Sequence, residues 1–382
     1  MTAMGRTTRS TADAQLVGAA SRSAEGGPLV ALRRVAPIAF YGVLPAAVVV
    51  TMFVIAIATG PLAHDFLNEL YPQAKDLLAG RNPYPESIWP PLAAVFAMPF
   101  TILPSTGAGV AIGIVGLASM AAALWLVGVR DWRVYSVVAL WPQVLGDIRI
   151  AHFTPFLCLL AAVVWRYRDR PLGAGLGLGI AGGVKFLLWP LGVWLLATGR
   201  ARAALVAAGV ALGSILLIAP FAPLDEYVRT LRDVSRAFDQ DSYSAFGLLT
   251  QLGAADVTAR AVTLCLGAGL LLLTWRRQSF ALAIAAALVL SPIVWFDFYA
   301  LAAVPLAIAL PRLSWVWFVP LVTWGLPSSG IATEPVWGVG RVLVVFTVVL
   351  AVAVRGESGA SAPRAGTHPS STMARARARG WT

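Results

Sequence analysis

The sequence predicts an all-α protein, a polytopic bundle of transmembrane helices, and three observations predict it. Of 382 residues, 58% are hydrophobic and 12% are charged, against about 25% charged and 45–50% apolar in a soluble domain. The apolar residues fall in blocks about as long as a bilayer is thick. The charges between those blocks alternate, basic at one set of turns and acidic at the other. A soluble enzyme, a disulfide-stapled secreted domain, a coiled coil and a disordered chain are excluded on this composition.

Residues 1–35 and 355–382 are Ser/Thr/Ala/Gly-rich tails with five Arg each. They have too little apolar surface to fold. Between them, residues 36–354 form the transmembrane domain. The first apolar run, 37–59, is too long for the hydrophobic segment of a cleaved signal and reads as a signal anchor. After it, residues 65–78 place Phe66, Leu67, Leu70, Ala74, Leu77 and Leu78 at helical spacing. That predicts an external amphipathic helix on the membrane surface, ended by Gly80 and followed by a rigid Asn82-Pro83-Tyr84-Pro85 turn.

Further apolar runs lie at 91–104, 107–129, 134–165, 171–184, 186–198, 203–222, 259–275, 279–296, 298–310, 313–327 and 337–354. The run at 134–165 holds Pro142, Gly146 and Pro155 and is counted as one broken crossing. Several runs fall short of the ~20 residues of a straight crossing, which predicts half-helices or buried, tilted ones. About twelve spans result.

The net charge is +11, and the two tails carry +7 of it. Basic tails beside membrane spans are expected to stay cytoplasmic and touch anionic lipid, whereas nucleic-acid binding lacks a folded basic face. Arg33-Arg34, the 165–170 segment, Arg200, Arg202, Arg276, Arg277 and Arg312 fall on the side of the tails. The opposite, external side receives 60–90, 223–258, 291–297 and 328–336, which with Asp131 hold most of the acids. Chemistry is therefore expected to face outward from the plasma membrane. Cys158 and Cys265 lie in apolar runs outside any metal-binding spacing.

Few ionisable residues escape this pattern. Asp65, beside His64, follows the first span, where a carboxylate costs desolvation energy unless paired or working; helix cap and general base are equally open there. Lys185 is one of two lysines in the chain and follows Gly182-Gly183. A lone ammonium near the external face calls for an anion such as a lipid phosphate, with the glycines leaving room for close approach. Asp147, Arg149 and His152 mark a polar cavity in the bundle, although Asp147 and Arg149 can neutralise each other and His152 can be a satisfied core histidine. Asp297 is flanked by Trp295 and Tyr299, which suit an interfacial belt or a sugar platform. Asp239-Gln240-Asp241 spells a metal-binding DxD, read here as a solvated loop. These residues fit a membrane enzyme, with a transporter or flippase of a lipid-linked or anionic solute as the alternative.

Four stretches, in order and spacing, make the chain resemble the membrane glycosyltransferases of family 87. They are the Asp65 loop through Lys75-Asp76 and Asn82-Pro83-Tyr84-Pro85 into Trp89-Pro90-Pro91, the Gly-Asp-Ile-Arg-Ile segment at 146–150, the Gly/Ala-rich run ending in Lys185, and Ser-Pro-Ile-Val-Trp at 291–295. The resemblance implies a GT-C fold and inverting transfer of a sugar, mannose first, from a polyprenyl-phosphate donor to a glycolipid or glycan acceptor. It implies Asp65 as general base and needs neither nucleotide nor metal. His64, Tyr84, Asp147, Arg149, Lys185, Trp295 and Asp297 complete the expected substrate-binding set, with Asp297 standing where the family usually has a histidine.

Overall fold

The computed structural model describes residues 35–361 except 61, 83–88, 219–223, 239–241 and 327–335. Every regular element among them is helical: α1 (Leu44–Thr59), α2 (Tyr71–Leu78), α3 (Pro91–Ala97), α4 (Ser105–Leu126), α5 (Trp132–Ala139), α6 (Pro142–Ile150), α7 (Thr154–Arg166) and α8 (Pro171–Val184) form the first half. The second half holds α9 (Pro190–Ala197), α10 (Ala201–Ile218), α11 (Leu224–Phe238), α12 (Ala245–Gln251), α13 (Asp256–Arg277), α14 (Phe280–Leu290), α15 (Ala303–Ala309) and α16 (Val336–Ser361). A π-turn at Phe66–Leu70 leads into α2, and 3₁₀ segments occur at Met98–Ile102, Phe296–Ala302 and Trp315–Thr323.

Four helices, Val35–Thr59, Ser105–Leu126, Asp256–Arg277 and Val336–Glu357, are long and apolar enough to cross a membrane. Val50 and Val54 on α1 and Leu264 and Leu272 on α13 are exposed, an arrangement suited to lipid and costly in water. This is a membrane protein. Of the twelve or so expected crossings, the rest among the described residues are shorter helices or 3₁₀ segments, some enclosed, such as α14 and α15, and some with exposed apolar side chains, such as α10 with Leu205 and Leu212.

Proline explains much of the division. Pro72, Pro91, Pro142, Pro155, Pro171 and Pro190 each sit in the first two positions of a helix, where a missing N–H costs nothing and the fixed φ is already helical. The run at 134–165, read as one broken crossing, is thereby cut into three helices, α5, α6 and α7. Between α6 and α7 the chain reverses through Ala151 and Phe153, both with positive φ (58° and 62°). The predicted helix after the first span is present, and Gly80 ends it with φ +68°. Its apolar residues are not only a membrane-facing stripe: Phe66, Leu70 and Ala74 are fully buried against α3, the 98–102 turn and Phe153.

Two apolar cores result. The larger is built by α5, α7 to α9 and α14 to α16; the smaller gathers α1, residues 62–74, α3 and α6. The smaller core ends at Trp89, Phe153 and Val184, the larger at Val294, Phe296 and Phe298, and the candidate site lies along the seam between them. At the far end from that seam, Arg200 pairs with Asp169 at 2.7 Å and Trp194 donates to the Gln278 carbonyl at 2.9 Å. Asp131, grouped by sequence with the external acids, belongs to this far end. Its Oδ2 accepts from the Leu313 N–H at 3.1 Å, beside Arg312, and its paired Arg133 side chain (2.9 Å) holds the carboxyl down at about 2.

Candidate active site

A cavity of about 670 Å³ opens along the seam. Its wall takes His64, Asp65 and Glu69 from the start of the second helical segment, Trp89 and Pro90 from the turn before α3, His152 from the α6–α7 reversal, and Lys185, Phe186 and Trp189 from the α8–α9 link. Tyr227, Thr230, Leu231, Val234 and Phe238 of α11, and Ser291 to Ile293 with Trp295 and Phe298, close it. Segments far apart in sequence but predicted to share one side of the membrane therefore meet around a single space.

Asp65 stands at the N-cap of the π-turn, yet its side chain caps no backbone N–H. One carboxylate oxygen instead meets Nε2 of His152 and the other lies 3.1 Å from Nδ1 of His64. The segment is pinned by the Ala63 N–H, which donates to the Ile148 carbonyl at 3.1 Å, with Ala63 itself at φ 47°. Burial acts to raise the Asp65 carboxyl. The hydrogen bonds and charge of His152, then of His64, outweigh it and hold the group below its ordinary value, so it is ionised. Glu69, one turn on, is pushed the other way by burial and by the charge of Asp65, while Trp89 Nε1 donates to it at 2.7 Å.

Behind Asp65 the contacts run inward. His152 Nδ1 lies 2.9 Å from Asp297 Oδ1, and Thr154 Oγ1 donates to Asp297 Oδ2 at 2.5 Å. The backbone N–H of His152 donates to Asp147 Oδ1 at 3.1 Å. Asp297 is 1% and His152 3% exposed; the ring forms part of the cavity wall and Asp297 lies behind it. Trp295 stacks on His152 with centroids 5.8 Å apart and planes at 21°.

Lys185 ends α8 in an extended conformation (φ −161°). Its Nζ lies 3.9 Å from the Phe298 ring centroid and 4.6 Å from that of Trp89, contacts that hold a cation without consuming its N–H donors. No carboxylate among the described residues lies within ion-pair distance of it. The preceding glycines do not leave room for a ligand, contrary to the sequence reading. A Cβ on Gly183 would lie 2.6 Å from Leu92 Cδ2 and 2.7 Å from Ser214 Oγ, and one on Gly182 would lie 3.3 Å from Ala211. They are there for helix packing.

The structure thus brings Asp65, His64, Lys185 and Trp295 to one cavity and places Asp297 and Asp147 in a layer behind it. Arg149 does not line the cavity, and among the described residues no ion pair joins it to Asp147. Tyr84 and the Asp239-Gln240-Asp241 triplet lie outside the described residues. Sequence reading placed His152 in a polar cavity with Asp147 and Arg149 but left it out of the substrate-binding set, and it did not single out Glu69, Trp89, Thr154 or α11. For α11 the signal was present: Tyr227, Leu231, Val234 and Phe238 recur at helical spacing in a stretch taken as a loop. Groups of three or more His, Cys, Asp or Glu arranged to hold a metal are absent among the described residues.

A carboxylate held ionised, a cation with open donors and aromatic planes in one cavity suit removal of a proton from a hydroxyl beside a departing anion. The family model for glycosyltransferase family 87 matches residues 88–295, more than half of the chain. The match runs from Ile88 to Trp295, so it takes in His152 and Lys185 and stops short of Asp65 and Asp297. No curated protein and no solved structure shows a significant match. The chain belongs to glycosyltransferase family 87 and, as a member of it, is a glycosyltransferase with a donor and an acceptor substrate.

Proposed function

We propose that the protein moves a sugar, mannose as the first choice, from a polyprenyl-phosphate donor to a glycolipid or glycan acceptor at the outer face of the plasma membrane. The observation that carries this reading is the pairing of Asp65 with Lys185 across one cavity rimmed by apolar residues. The fold is read as GT-C type, with about twelve crossings and both termini cytoplasmic. Phe186 is 69% exposed and Leu231 40% exposed beside the cavity, a greasy rim for a prenyl chain whose phosphate reaches Lys185.

In the reaction, Asp65 accepts the proton of the acceptor hydroxyl as its oxygen forms a bond to the anomeric carbon. The bond from that carbon to the donor phosphate oxygen breaks, and its electron pair leaves with the phosphate. Attack opposite the leaving group inverts the configuration. Lys185 neutralises the charge that grows on the phosphate, and the ring of Trp295 offers an apolar plane for a sugar face. Asp65 and Glu69 make the cavity wall acidic, with Asp147 and Asp297 behind it, and Lys185 gives it a place for an anion. A transporter has less support: these groups collect at one end of the bundle, and the halves show no inverted repeat.

The test is transfer from radiolabelled polyprenyl-phosphate mannose to glycolipid acceptors in membranes carrying the full-length protein. Asp65→Asn is expected to lower kcat by about 10³-fold or more at unchanged expression. Lys185→Ala is expected to raise the donor KM with a smaller effect on kcat. Full activity in Asp65→Asn rejects Asp65 as the base, and unchanged kinetics in Lys185→Ala reject Lys185 as the phosphate contact.

A further inference from the structure

Both nitrogens of the His152 ring face carboxylate oxygens, Nε2 toward Asp65 and Nδ1 toward Asp297. Each such contact needs a hydrogen between its atoms, so the three groups together hold two hydrogens and one net negative charge. A histidine that only filled space in the core would need a single partner. This one is fixed on every side. The ring lies on Trp295 and meets Phe298 edge-on at 6.0 Å. Its own N–H is bound by Asp147, and both flanking residues, Ala151 and Phe153, sit in the left-handed region. Strained backbone of that kind persists only where surrounding contacts overdetermine it, and it gathers at functional sites. Beyond the ring, Thr154 occupies the second oxygen of Asp297, so the carboxylate cannot turn away.

We propose that His152 is a positioning residue for Asp65, and that Asp297 and Thr154 set the position and proton content of its ring. The proposal rests on the reading of Asp65 as the base and adds how that base is held. With one oxygen of Asp65 bound by His152 and the other beside His64, the plane of the carboxylate is fixed and its remaining lone pairs are left for the acceptor hydroxyl. The same contact keeps Asp65 ionised against the desolvation that burial imposes.

Two substitutions separate the ring's two contacts. In His152→Gln the side-chain amide nitrogen reaches about as far as Nε2, toward Asp65; in His152→Asn it reaches about as far as Nδ1, toward Asp297. His152→Asn is expected to lose about 10²-fold in kcat with KM changed by less than about threefold, and His152→Gln is expected to recover part of that loss. In both, the acid limb of the kcat profile moves to higher pH, furthest in His152→Asn. An equal loss in the two variants with an unmoved acid limb makes His152 merely structural and overturns the proposal, as does wild-type kcat in His152→Asn.

A second measurement is independent of substrate. The chain has three histidines, so ¹⁵N-histidine spectra of the full-length protein in nanodiscs are simple to assign. One ring is expected to respond at Nδ1 to Asp297→Asn and at Nε2 to Asp65→Asn. No ring responding to both overturns the arrangement, whatever the substrate. Absence of transfer by the wild-type protein, with the spectral responses intact, rejects the substrate reading and leaves the linked groups standing.

Discussion

The ionisation of Asp65 has a direction that can be measured. Burial raises it, but His152 and His64 more than offset that, so the carboxyl titrates below its ordinary value of 3.8. A base whose value is lowered stays competent as pH falls. Activity is therefore expected to remain level from about pH 7 to about pH 5 and to fail only in the ordinary carboxylate range or below it. A limb centred near neutrality, read from kcat/KM against pH, would assign the titration to another group. At this scale sequence was informative about residue type and blind to partners. Asp65 was legible because a carboxylate at the end of a span is costly, but spacing could not choose between capping and chemistry. The absence of a capping bond removes the first reading and leaves the base as our proposal. His152 was legible as part of a polar cavity, but its role was not: its partners are 87 and 145 residues away, and no local pattern carries such distances. Asp147 and Arg149 illustrate the opposite error, since adjacency in sequence suggested a pair that the fold does not form.

At the scale of elements, the glycines of α8 fix where Lys185 stands. Gly175, Gly179 and Gly183 recur every fourth residue and form a face on which α10 lies. A Cβ at Gly179 would come within 2.5 Å of Val210 Cβ and 2.9 Å of the Ala207 carbonyl, and one at Gly175 within 2.5 Å of Val206 Cβ. Backbones this close leave no space for a side chain. Gly179→Ala is expected to destabilise the detergent-solubilised protein by about 1–3 kcal/mol, seen as a lower midpoint in thermal unfolding. Gly209→Ala on α10, where a Cβ meets nothing within 4 Å, should be neutral or mildly stabilising. Equal losses in both would mean that the glycine face is not the contact. The glycine-rich run was visible in the sequence, but its use was misjudged as space for a ligand, because sequence does not show which helix lies opposite. The prolines were more legible. They announced breaks in the apolar runs, and the breaks became helix starts. The 223–258 stretch was read by its charge and treated as a loop, which hid the apolar face of α11 over the cavity.

For the whole molecule, the separation of charge along the sequence grouped several segments that the fold also brings together. Among the described residues, parts of the 60–90, 223–258 and 291–297 segments grouped as external line the cavity, and Asp169, Arg200 and Gln278, from or beside segments grouped with the tails, lie together around Trp194. Asp131 was misplaced because its sign was weighed without its position: it follows α4, which begins near the cavity end and finishes at the opposite one. The number of crossings was less legible, since composition marks apolar runs but does not set how far each helix continues. The proposed orientation makes a direct prediction. In a Cys265→Ala background, with Cys158 buried, Lys75→Cys should react with a membrane-impermeant thiol reagent on intact cells. Arg202→Cys should react only after permeabilisation, and the reverse labelling would invert the topology and place the cavity toward the cytoplasm.

The shortness of α9 reaches beyond the finished protein. Its eight residues extend about 12 Å, well under the ~30 Å of a hydrocarbon core. Alone, such a segment would leave the polar backbone groups at its ends exposed to lipid. It is stable only once α10, α13 and α14 enclose it, and α13 and α14 are synthesised some sixty residues and more after it. The nascent chain must therefore hold α9 in a sheltered, provisional place while the rest emerges. The settling of α9 is therefore tied to the packing of helices that follow it in the chain.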